Sequence, residues 1–64
     1  MNQIKKARML AGLRQVDLAQ LIGVRQITVC NWENGKSFPN VRKLPRLAEV
    51  LHTTVQELLE ERVG

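Results

Sequence analysis

The chain has 64 residues, 44% of them hydrophobic, with a formal charge of +4 and a pI near 10.0. That size suits one domain with one small core, spanning residues 1–64, and leaves no room for a small-molecule effector domain. One cysteine and one histidine argue against a disulfide or structural zinc site, the 3% aromatic content against a binder that stacks single-stranded bases, and the lack of a long apolar run or signal peptide against a membrane partner.

In chain order, Ile4, Ala7, Met9, Leu10 and Leu13 have a helical apolar spacing, with Lys5, Lys6 and Arg8 between them. A first helix is predicted from about Asn2 to Ala11, stopped by Gly12. Val16, Leu18, Ala19, Leu21 and Ile22 form the stripe of a second helix, with Ala19 where another helix would cross closely. Gly23 ends it, and Val24 plugs the turn into the core. A third helix runs from about Gln26 to Asn34, with Val29 and Trp32 inward and Gly35 as terminator. Ser37–Asn40 reads as loop. Pro45 would cost about 3 kcal/mol deep inside a helix but fits a first turn. The well-formed part of helix 4 therefore starts near Leu44, after an irregular or helical lead-in over Asn40–Lys43, with Leu47, Ala48 and Leu51 inward. Thr54 followed by Glu57 looks like a capping box. A fifth helix follows from about Val55 to Glu61, burying Val55 and Leu58, with Leu59 as a further candidate for the inward face. The expected fold class is all-α: five helices and no strand.

Charge is unevenly placed. Up to Arg46, Asp17 and Glu33 are the only acids, set against Lys5, Lys6, Arg8, Arg14, Arg25, Lys36, Arg42, Lys43 and Arg46. From Leu47 onward Arg62 stands alone against Glu49, Glu57, Glu60 and Glu61. A basic body with an acidic end suggests one face for a polyanion and another for something else. Gln15–Lys36, QVDLAQLIGVRQITVCNWENGK, reads as two short helices joined at Gly23, the second bearing polar groups able to reach base edges or phosphates. That is the helix-turn-helix pattern, which lays its second helix in the major groove of DNA.

Gln15, Ala19, Gly23, Val24, Val29, Trp32, Glu33, Gly35, Lys36, Pro39, Leu47, Ala48, Leu51 and Leu58 resemble the phage repressor/Cro-like, or XRE, helix-turn-helix family, over Ile4–Leu59. The resemblance implies a five-helix, lambda-repressor-like domain that binds double-stranded operator DNA, usually as a symmetric homodimer. It implies base-facing positions at Arg25, Gln26, Ile27 and Asn31. Gln15 resembles the glutamine that holds a phosphate at the start of helix 2, and Thr28, Asn34 and Lys36 fall near the DNA backbone. Arg8 and Glu33 resemble a buried ion pair tying helix 1 to the end of helix 3.

Chemistry supports these assignments in part. Gln26 can bond bidentately to adenine and Arg25 to guanine, each contact worth about 1–3 kcal/mol of discrimination, while Ile27 offers only apolar contact to a thymine methyl. Asn31 points about 140° further round the helix than Gln26, toward a neighbouring strip of groove or a phosphate. Arg14 and Arg25 stand where the family usually places Ser or Thr caps. Arginine caps poorly at the positive end of a helix dipole, so each should cost roughly 0.5–2 kcal/mol, relieved when a phosphate or guanine arrives. Arg14 is thus a phosphate candidate, and Arg25 a base or phosphate contact. Lys36, Arg42, Lys43 and the N-terminal lysines add phosphate affinity. His52, commonly Gly in the family, would have to tolerate a left-handed backbone. Cys30 is read as a small neutral residue on the outer face of helix 3.

The expected function is a sequence-specific, repressor-like transcriptional regulator in the cytoplasm, bacterial or phage-encoded and nucleoid-associated. Leu59 and Val63, four apart, are candidates for the dimer contact. The competing reading is an antitoxin or adaptor-type interaction module on the same fold. An enzyme is disfavoured, because His52 has no neighbouring nucleophile and so small a core leaves little room for a substrate pocket; no cofactor or metal is expected.

Overall fold

The computed structural model describes residues 3–63, with side chains described for residues 3–60. Five α-helices, α1 (Gln3–Leu10), α2 (Gln15–Ile22), α3 (Gln26–Glu33), α4 (Leu44–Val50) and α5 (Val55–Val63), are joined by short turns, with one 3-10 turn at Val41–Lys43 before α4. No strand occurs among the described residues.

The core is one cluster to which every helix contributes: Ile4 from α1, Leu18 and Ala19 from α2, Val29 and Trp32 from α3, Leu44, Leu47 and Ala48 from α4, Leu51 just after it, and Leu58 from α5. Each fully buried leucine or isoleucine contributes about 1.5–3 kcal/mol through the apolar surface it removes from water. α2 and α3 share the most extensive contact between elements, with the small Ala19 buried at the crossing. Val24, in the turn between them, packs against the core.

The α2–α3 turn depends on Gly23. Its φ is +82°, a left-handed conformation that costs a residue with a Cβ roughly 1–2 kcal/mol. Gly23 and Val24 both donate backbone N–H bonds to the Ala19 carbonyl, at 2.8 and 2.9 Å, closing α2 and redirecting the chain within two residues. Gly35, at φ +74°, does the same after α3, and Lys36 N–H bonds back to the Asn31 carbonyl at 2.9 Å. At the fourth helix end the left-handed residue is His52, φ 55°.

The structure corrects four expectations. Met9 and Leu10, assigned to the apolar stripe of α1, are 62% and 81% exposed; Ile4, Ala7 and Leu13 are the residues that meet the core. Leu21, placed in the α2 stripe, is also exposed. Leu44, the first residue of α4, is buried and belongs among the inward positions. The capping box of α5 is half formed. Thr54 Oγ1 accepts from Glu57 N–H at 3.1 Å, but the Glu57 carboxylate takes the Thr53 hydroxyl at 3.0 Å instead of reaching the Thr54 backbone. The lead-in to α4 is the 3-10 turn, capped by Asn40, whose side chain accepts from Arg42 N–H at 2.9 Å.

Candidate nucleic-acid interface

α3 is only eight residues long, and what it shows to solvent follows from what it buries. Val29, Trp32 and Glu33 are buried, which turns Ile27, Asn31 and Asn34 outward along one strip at the i, i+4, i+7 spacing. Ile27 is 56% exposed. Gln26 opens the helix and Arg25 precedes it in extended conformation, φ −83° and ψ 153°, with no side-chain cap. Arg25, Gln26 and Ile27 are all exposed, so the N-terminal end of α3 offers a fork of donors, a carboxamide and a methyl-bearing side chain. Thr28 is half-buried. Asn34 is exposed, but its amide turns back on its own helix, donating to Cys30 Sγ at 3.3 Å.

The start of α2 is organised differently. Arg14 occupies the cap position, and a guanidinium has no lone pair to offer the helix. Asp17, three residues on, supplies the reciprocal half of the cap, accepting from Arg14 backbone N–H at 2.9 Å. The same carboxylate receives Arg14 Nε at 3.0 Å and Nη2 at 2.9 Å. These hydrogen bonds, the guanidinium's first and the backbone's second, hold the Asp17 carboxyl down at about 2, with charge attraction adding to them; Asp17 in turn raises the already high pKa of Arg14. Arg14 is therefore not a free cation waiting at an uncapped helix. Any phosphate it meets competes with Asp17. Sequence reasoning passed over Asp17, although an acid three residues after a cap position is the signal that would have found it.

Between the two sites lies a buried polar cluster. Arg8 Nε donates to Glu33 Oε2 at 2.6 Å and Arg8 Nη2 to Glu33 Oε1 at 3.1 Å, while Arg8 Nη1 donates to the Leu13 carbonyl at 2.7 Å. The Glu33 side chain is 2% exposed and that of Arg8 12%. Gln15, the first residue of α2, adds a third bond, Nε2 to Glu33 Oε1 at 3.0 Å. One polar group from α1, the carbonyl before α2, the first side chain of α2 and the last residue of α3 are thus joined. No sequence pattern announces the Gln15–Glu33 contact, which spans eighteen positions.

Electrostatically, the two acids of the basic stretch are both answered, Asp17 by Arg14 and Glu33 by Arg8. Arg46 pairs with Glu49. Arg25, Lys36 and Arg42 are exposed and Lys43 half-buried, in three successive segments: the entry to α3, its exit, and the 3-10 turn. The candidate dimer residues lie elsewhere. Leu59 on α5 is 36% exposed, and the Val63 side chain falls outside the described residues. No group of His, Cys, Asp or Glu suited to a metal ion occurs among the described residues, and no described helix is long and apolar enough to cross a membrane.

Residues 4–58 match the protein-family model described as Helix-turn-helix. The chain is 30% identical over 58 residues to the HTH-type transcriptional activator BcrR of Enterococcus faecalis, covering 91% of this chain but only 28% of that protein. It is 32% identical over 57 residues to an uncharacterised HTH-type transcriptional regulator of Archaeoglobus fulgidus, covering 89% of this chain and 81% of that protein. With the tight α2–α3 turn and the exposed N-terminal end of α3, these likenesses place the chain in the XRE-type helix-turn-helix family of DNA-binding transcriptional regulators.

Proposed function

We propose that this protein is a sequence-specific double-stranded DNA-binding regulator that seats α3 in the major groove and acts as a homodimer on a pseudo-palindromic operator in nucleoid DNA. The observation that carries this reading is the N-terminal end of α3: Arg25, Gln26 and Ile27 are exposed together on a helix whose opposite face is fixed by buried Val29, Trp32 and Glu33. Gln26 and Arg25 read base edges, Ile27 meets a thymine methyl, and Asn31 reaches the adjoining strip. Gln15, Thr28, Asn34, Lys36, Arg42 and Lys43 serve the phosphates, and Arg14 joins them on exchanging Asp17 for the DNA backbone. The dimer forms through α5, with Leu59 and Val63 as its apolar contacts. The effect on transcription, repression by occlusion or activation, follows from where the operator lies.

Selection of bound duplexes from a random pool tests the reading. The expected result is an enriched inverted repeat, bound with an affinity that falls steeply as salt rises. Gln26→Ala should lower affinity by about tenfold and relax the preference at one position in each half-site, whereas Lys36→Ala should weaken all duplexes alike and reduce the salt slope by about one. No enrichment over random DNA, or binding indifferent to salt, sinks it. The exposed Met9–Leu10 face of α1 is what favours the second reading, an antitoxin or adaptor module. That module would retain duplex DNA only weakly and without sequence preference in the same assay.

A further inference from the structure

We infer that Glu33 is a positioning residue for DNA binding: it fixes which corner of the Gln15 carboxamide carries the hydrogen-bond donor, and so where along the start of α2 a phosphate is held. The inference rests on the DNA-binding role proposed above.

The argument is one of donor and acceptor inventory. Glu33 is buried, and its carboxylate is bound by Arg8 through Nε at 2.6 Å and Nη2 at 3.1 Å. An ionised carboxylate only accepts. The Gln15 amide, 3.0 Å from Glu33 Oε1, must therefore turn its Nε2 inward and its Oε1 away. An unrestrained glutamine presents either end, because the two orientations have nearly the same shape. Here one Nε2 hydrogen is spent on Glu33, and the amide plane aims the other about 120° away from it. A phosphate also only accepts. It is drawn to the Nε2 corner and repelled from the Oε1 corner, and Gln15 is only half-buried, so part of the residue stays within reach of solvent. Arg8 supports the arrangement twice: it neutralises the carboxylate beside which the phosphate would lie, and it binds the Leu13 carbonyl at 2.7 Å, fixing the turn from which α2 starts. Arg8 and Glu33 thus act on the DNA through Gln15 without touching it.

A double-mutant cycle tests this, using the 64-residue chain and a 20-base-pair duplex taken from the selection described above. Gln15→Ala should weaken binding by about tenfold, the scale of one hydrogen bond to a charged group. Glu33→Met removes both acceptor oxygens, so nothing holds the Gln15 Nε2 inward and the amide presents either end to the phosphate. Any loss that acts through Arg8 appears in both backgrounds and cancels in the cycle. Glu33→Met should therefore weaken binding by about two- to tenfold more when Gln15 is present than in the Gln15→Ala background. Equal losses in both backgrounds, or no loss when Gln15 is present, overturn the proposal. If Glu33→Met fails to fold, the wild-type protein alone decides by NMR of the Gln15 side-chain amide. One Hε2 proton should be protected from solvent in the free protein and keep its shift when duplex is added, while its partner moves. Two Hε2 protons that exchange equally fast in the free protein overturn the proposal. That measurement needs no DNA, so it is separable from failure of the wild-type protein to select any duplex, which would remove the DNA-binding reading itself.

Discussion

Asp17 shows how one side chain changes the meaning of its neighbour. Arg14 taken alone is a mis-capped helix start with a cation at the positive end of the dipole; with Asp17 it becomes a half-formed cap and an exposed ion pair. The Asp17 carboxyl sits at about 2 in the folded chain against roughly 3.9 in an unfolded one. A depressed carboxylate contributes stability that is complete above pH 4 and is lost as pH falls through 2. Because the pair is exposed, the contribution is small and screened by salt. Asp17→Asn keeps an acceptor for the Arg14 N–H but cannot titrate. Urea midpoints of the two proteins, compared from pH 6 to pH 2, should converge as the wild type loses its advantage between pH 4 and pH 2. A gap that does not change with pH would show that the ion pair is irrelevant to stability.

Helix ends and helix faces were not equally legible. Gly23 and Gly35 marked the ends of α2 and α3 because a left-handed residue needs glycine, and Pro45 marked the first turn of α4 because proline fits nowhere else in a helix. The face of α1 is ambiguous in the sequence, because five apolar residues give more candidates than one face can hold. Only three-dimensional packing against α3 and α5 decides that Ile4 and Ala7 go in and that Met9 and Leu10 stay out. The outward strip of α3 was legible, since it is the complement of Val29 and Trp32, but the Gln15–Glu33 bond was not, because periodicity carries no information about contacts between elements. His52 is the element-scale feature with the clearest consequence. It occupies the left-handed position after α4, where Thr53 N–H bonds the Ala48 carbonyl at 2.9 Å. His52→Gly should remove about 1–2 kcal/mol of backbone strain, offset in part by the greater freedom of glycine in the unfolded chain. A net gain of about 0.5–1 kcal/mol would raise Tm by roughly 4 °C in a chain of this size. Calorimetry showing a lower Tm would mean that the imidazole, exposed beside Lys6, Leu10 and Glu57, makes a contact worth more than the strain.

At the scale of the whole molecule, shape limits how two copies can share an operator. The Cα trace spans 26 × 23 × 22 Å, side chains add several ångströms on every side, and half-sites one helical turn apart are separated by about 34–36 Å. Two copies seated in successive major grooves on one side of the duplex therefore meet only at their facing edges. The contact would fall well short of the ~800 Å² per partner typical of stable complexes. The apolar material known to be exposed on α5 is also slight, Leu59 alone among the described side chains. The proposed dimer should accordingly be held together largely by the DNA: monomeric by sedimentation at micromolar concentration, yet cooperative on a two-half-site duplex, where the first copy raises the effective concentration of the second. Inserting five base pairs between the half-sites rotates them onto opposite sides of the helix, about half a turn, and lengthens the gap. Cooperativity in a gel shift should then vanish, leaving each half-site bound with single-copy affinity. The same cooperativity before and after the insertion, or a stable dimer without DNA, would mean that the copies join through a larger surface than α5 offers, and the exposed Met9 and Leu10 of α1 would be the first place to look.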